Sequence, residues 1–154
     1  MMKELEKLPP SEADLMIKAP LLVCILIAGA DDDIDKKEIR RAIQLTQEKQ
    51  TRGKSNLIEF YQLMAEDFED KLKVLIQSFP GKAAQRNPLL IRELEGLNHV
   101  LPKIQKSIAS EFYKSLREIA QKIAESSGGI LGMKKVGGEE AKLVGLVMIE
   151  EPIA

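Results

Sequence analysis

The chain has 154 residues and a mass of 17.2 kDa, the usual size of one domain. Its 23 Lys+Arg against 24 Asp+Glu leave a formal net charge of -1, which excludes a protein that grips nucleic acid through bulk charge. One Cys and one His exclude an internal disulfide framework, a Cys-based zinc site and a His-rich metal centre.

The apolar periodicity is helical almost throughout, with no strand-like alternation of any length. Ser11 and Asp14 stand three residues apart as a capping box and predict the start of a first short helix. Pro20 then either opens a second helix at its first turn or kinks the first. Residues 21–30 are apolar on every side, the mark of an element surrounded by others. This stretch ends in Ala28-Gly29-Ala30, a small-x-small pattern like that of a signal-peptidase site. The residues before it carry Lys3, Lys7 and Lys18 against Glu4, Glu6, Glu12 and Asp14, an acidic balance where a secretory leader needs a basic one. As a helix, the stretch from Pro20 covers only about 16 Å, roughly half a ~30 Å hydrocarbon core. Val23 is too bulky for the position before a lipid-modified Cys24. The expectation is a buried central helix in a cytoplasmic protein with no membrane insertion.

Asp35 and Glu38 form a second capping box, opening a helix with Ile39, Ala42, Ile43 and Thr46 on one face. The polar run 47–56, with Gly53, reads as an exposed turn. Leu57, Ile58, Phe60, Tyr61 and Met64 mark a fourth helix. Phe68, Leu72, Leu75, Ile76 and Phe79 mark a fifth, stopped by Pro80-Gly81. Asn87-Pro88 predicts the start of another helix, with Leu90, Ile91, Leu94, Leu97 and Leu101 inward. Beyond Pro102, Ile104, Ile108, Phe112, Leu116, Ile119, Ile123 and Ala124 recur at spacings of three and four. They define a long amphipathic helix expected to stop at Gly128-Gly129. A glycine-rich loop over 128–138 then precedes a last apolar helix over 139–149. The expected fold is an all-α, single-domain bundle of about seven or eight helices spanning residues 1–154.

The chain also carries a degenerate internal repeat. Aligning Ile34 with Val136 places Glu38 on Glu140, an offset of 102 residues. In both copies an apolar helix exits into a tight turn, an aliphatic residue plugs it, and a carboxylate four residues later sits in the next helix's first turn. There it favours the helix dipole. Two such units could pack about a pseudo-two-fold axis.

These residues resemble a known family. An apolar helix running into Ala30-Asp31 and Ile34, with Glu38 four residues on, is followed by Ile119-Ala120, Ile123-Ala124-Glu125-Ser126-Ser127-Gly128-Gly129 and Leu131-Gly132. The pattern resembles the tellurite-resistance TerB-like family over most of residues 20–149. The resemblance implies an all-helical cytoplasmic bundle, linked in bacteria to tellurite resistance and stress. It also implies action through ion binding or partner contacts, with no agreed enzymatic activity. Where the family usually has Gly after the first Asp, this chain has Asp32, and Gly enters left-handed conformations more easily than Asp does.

Asp31, Asp32, Asp33, Asp35 and Glu38 place five carboxylates within eight residues. Hard divalent cations need several oxygen ligands on a short, turning backbone. With Glu38 set as the final ligand of an EF-hand loop, Asp31 and Asp35 fall on ligand positions. Ile27 and Gly29 then fall where Asp or Asn is required, so the segment is not an EF-hand. Two readings stand side by side. In one, Asp35 and Glu38 cap the helix and Asp31 to Asp33 are a solvated turn. In the other, Asp31, Asp33, Asp35 and Glu38 hold a weakly bound divalent cation, Ca²⁺ or Mg²⁺.

Other clusters carry less chemistry. Lys36, Lys37, Arg40 and Arg41 form a basic face without interleaved aromatics, best read as a solvated helix face that could dock an oppositely patterned partner. The 128–138 loop lacks the Gly-Lys-Ser/Thr of a phosphate-binding loop, and Ile130, Leu131 and Met133 read as a hydrophobic plug. His99 reads as a surface or capping residue and Cys24 as a buried inert thiol. The paired acids Glu139-Glu140 and Glu150-Glu151 point to different helix faces and make no catalytic dyad. No nucleophile, base or cofactor loop assembles, so no enzymatic activity is expected. The expected partner is another protein, a second copy of the chain included, acting either with the cation or as an adaptor bundle without ligand chemistry.

Overall fold

A computed structural model describes residues 1–29, 34–53, 55–135 and 143–152, with the backbone alone over 126–135. The elements in order are α1 (Met2–Glu6), α2 (Pro10–Ala28), α3 (Lys36–Arg52), α4 (Ile58–Ala65), α5 (Phe68–Gln77), α6 (Ala83–Glu95), α7 (Leu97–Val100), a 3-10 turn (Leu101–Lys103) and α8 (Lys106–Lys135). No strand occurs among the described residues. The fold is all-α, as the periodicity predicts.

α2 is the axis of the molecule. From Ala19 to Ala28 every residue is buried, because α2 packs against every other helix of the bundle. A helix apolar all round is stable only when it is surrounded in this way. Its length is set differently from the expectation. The helix begins at Pro10, behind Pro9, with no side-chain cap, so Ser11 and Asp14 do not form the opening capping box. Proline at the first helical position already lacks an N–H that would go unpaired, and its fixed φ suits the first turn. Pro20 neither starts a second helix nor ends the first; it lies inside α2. An internal proline costs about 3 kcal/mol. Burying Leu21, Leu22, Val23, Ile25, Leu26 and Ile27 offsets this at roughly 1.5–3 kcal/mol per large side chain.

α1 has no counterpart among the predicted elements. It is held by Leu5, which is buried, and by Glu4, whose Oε1 accepts from the Gln105 N–H at 3.2 Å. Lys7 Nζ lies 3.0 Å from the other oxygen of Glu4. A short N-terminal helix thereby ties down the start of α8.

α3 buries Ile39, Ala42, Ile43 and Thr46 as expected, and Gln50 in addition. It continues through 47–52, where an exposed turn was predicted, and stops at Gly53. Gln, Glu and Lys are good helix formers, and the Lys49 ammonium reaches Glu118 of α8 at 2.8 Å. Polarity there marks a solvated helix face. α4 and α5 match their predicted faces, with Phe60, Tyr61, Met64 and Leu72 fully buried. Phe60 meets Phe112 of α8 edge to face, with centroids 5.4 Å apart.

α6 begins at Ala83, ahead of the predicted start, with Pro88 inside it. Its buried positions are Ala83, Arg86, Leu90 and Leu94, spaced at three and four, so the inward stripe starts before the proline. α8 carries the predicted apolar stripe from Ile108 to Ile123 against α2 and α3. Its 30 residues span about 45 Å. The helix does not stop at Gly128-Gly129; its backbone continues to Lys135. Glycine ends a helix when it takes the left-handed conformation, and otherwise costs only about 1 kcal/mol per position.

Of the predicted last helix over 139–149, residues 143–149 are described, and only 143–144 of these are helical. Residues 145–148 form successive turns that end in a bend at 149, with Leu146 at φ 51° and hydrogen bonds from Leu146 N to Leu143 O and from Ile149 N to Leu146 O. Residues 136–142 lie outside the described part, and with them Glu139, Glu140 and the second copy of the repeat. The segment around 148–150 is pinned by Asn98, whose Nδ2 donates to Met148 O and whose Oδ1 accepts from Glu150 N.

Candidate functional site

The segment joining α2 to α3, together with the first turn of α3, holds every residue singled out as a cation ligand. It leaves the core at Gly29, the C-cap of α2, whose N–H bonds Ile25 O at 2.9 Å. Gly29 has φ -95°, so a left-handed conformation is not what demands glycine here. Close approach is. A Cβ at this position would lie 2.4 Å from Nη2 of Arg86 and 2.8 Å from Ile25 O.

Arg86 is the largest fully buried side chain among the described residues, at 2% exposure. Its Nη2 donates to Gly29 O at 2.6 Å and its Nη1 to Gly81 O at 3.0 Å, while its Nε is buried without a partner. The guanidinium therefore neutralises the negative end of the α2 dipole and ties the exit of the central helix to the turn before α6. Sequence reasoning missed it because Arg86 was placed ahead of a helix starting at Asn87-Pro88. The signal that could have found it is its spacing of four and eight from Leu90 and Leu94, which puts it on the inward stripe.

The chain re-enters a helix at Asp35. Its Oδ1 accepts from Lys37 N at 2.9 Å and from Glu38 N at 3.3 Å, the geometry of an N-cap. Glu38 lies in the first turn of α3 and is half-buried. Ile34 is half-buried and packs against the core, as the plug reading expects. Of the four expected cation ligands the structure places Asp35 and Glu38 together at the start of α3. Asp31 and Asp33 lie outside the described residues. Among the described residues, no group of three or more His, Cys, Asp and Glu is arranged to hold a metal ion.

Lys36, Lys37, Arg40 and Arg41 are all exposed. Arg40 is tied to Glu69 of α5 through its Nε at 2.7 Å, with a second contact from Nη2, so part of the basic face is answered within the fold. Carboxylates of α8 hold the other end of α3 and the loop after it. Glu111 accepts from Ser55 Oγ and Asn56 Nδ2 at 3.3 and 3.1 Å. Lys122 reaches Thr46 Oγ1 at 3.5 Å, and partial burial, ahead of its charged neighbours, lowers its pKa from the ordinary lysine value.

His99 is exposed on α7. Cys24 is fully buried, and burial pushes its thiol well above the ordinary range. Tyr61 Oη and Ser115 Oγ lie 2.6 Å apart in the core, and Ser115 Oγ donates to Phe112 O at 2.7 Å. The Tyr61 proton therefore faces Ser115, and burial is the chief cause holding that phenol far above its usual pKa. The side chains of Ile130, Leu131 and Met133 lie outside the described part. No helix among the described residues is long and apolar enough to cross a membrane.

No family model, curated protein or solved structure shows significant similarity to this chain.

Proposed function

We propose that the chain is a non-catalytic helical module of the TerB-like kind, cytoplasmic and tied to bacterial stress or tellurite resistance. In this reading the segment of residues 31–38 takes a divalent cation weakly through Asp31, Asp33, Asp35 and Glu38. The observation that supports it is the way Asp35 is held. Both cap hydrogen bonds fall on Oδ1, so the carboxylate is fixed in place at an exposed position with Glu38 one helical turn away. A pre-oriented carboxylate gives up little freedom when it ligates. Hard cations such as Ca²⁺ and Mg²⁺ suit an all-oxygen set of this kind.

Calorimetry of the chelator-stripped protein with Ca²⁺, Mg²⁺, Mn²⁺ and Zn²⁺ tests the reading. Saturable uptake of one ion per chain, lost in Asp31→Asn plus Glu38→Gln, supports it. Equal heats from both proteins overturn it.

A second reading makes the protein an adaptor that docks a partner, or a second copy of itself, without a metal. It is favoured by the exposed Lys36, Lys37 and Arg41 next to the acidic segment, a two-sign pattern suited to a complementary surface. A partner bound equally well by the double variant would select this reading.

A further inference from the structure

We draw no further inference here: the strongest candidate, the cavity of about 330 Å³ between the start of α8 and residues 150–152, sets Lys106 against Glu150 and Glu151 over Leu101 and Ala109, and nothing in the structure shows what covers it.

Discussion

Replacing Gly29 with alanine tests the clamp at the end of the central helix. The added Cβ would lie 2.4 Å from Arg86 Nη2 and 2.8 Å from Ile25 O. Either the guanidinium leaves Gly29 O or the last turn of α2 opens. Losing a hydrogen bond to a charged group costs about 1.5–3 kcal/mol, and overpacking adds about 1–3 kcal/mol. A total of roughly 2.5–6 kcal/mol corresponds to a fall in Tm on the order of 5–25 °C for a chain of this size. Arg86→Met removes the same hydrogen bond from the other side. It leaves the buried Gly29 carbonyl unpaired, at about 1–3 kcal/mol, while Gly81 is exposed and its carbonyl can turn to water. The desolvation of a guanidinium with an unpartnered Nε is relieved at the same time, so the net cost is about 1–2 kcal/mol. In the double variant the clash with the guanidinium is gone and only that with Ile25 O remains. Urea unfolding followed by circular dichroism should therefore give a double-variant loss smaller than the sum of the singles by about 1–3 kcal/mol. Losses that add to within about 0.5 kcal/mol, or a neutral Gly29→Ala, would refute the close-approach argument.

Three further predictions follow from single contacts. Asp35→Ala should cost about 1 kcal/mol in urea unfolding, and Asp35→Asn or Asp35→Ser much less, because only the alanine variant lacks an acceptor for Lys37 N and Glu38 N. Glu4 is held below its ordinary carboxyl pKa of 4.5, first by its bond to Lys7 and also by the Gln105 N–H. Its contribution to stability is thus present above pH 4.5 and lost as pH falls through the lower folded value. Glu4→Gln should flatten that acid limb of the stability profile, and an unchanged limb would contradict the assignment. Cys24, buried with its thiol pushed up by burial, should react with a thiol reagent only as fast as the bundle opens. Rapid labelling of the native protein would contradict the packing of α2.

What the sequence reveals and hides follows one physical line. Patterns that depend on many residues at once are legible: the all-apolar stretch of α2, the stripe of α8 and the inward face of α3 all stand where the periodicity puts them. Signals carried by one or two residues are read wrongly when packing overrules them. Pro20 and Pro88 lie inside helices, since burial on either side outweighs a local penalty of a few kcal/mol, and the backbone of α8 runs on through Gly128-Gly129. The polar run 47–52 is mistaken for a turn because a solvated helix face and a loop share a composition. At the candidate site, the Asp35 cap is legible from its spacing to Glu38. Arg86 is not, because an apolar pattern counts apolar residues and a guanidinium buried against two backbone carbonyls leaves no mark in it.

The most direct test of the proposed role is an NMR titration of the isotope-labelled, chelator-stripped protein with Ca²⁺ and Mg²⁺. Saturable amide shifts confined to residues 29–40, at one ion per chain, are the predicted result. Spectra unchanged up to millimolar cation, or shifts scattered over the surface without saturation, would contradict a cation site and leave those carboxylates as a helix cap and a solvated turn.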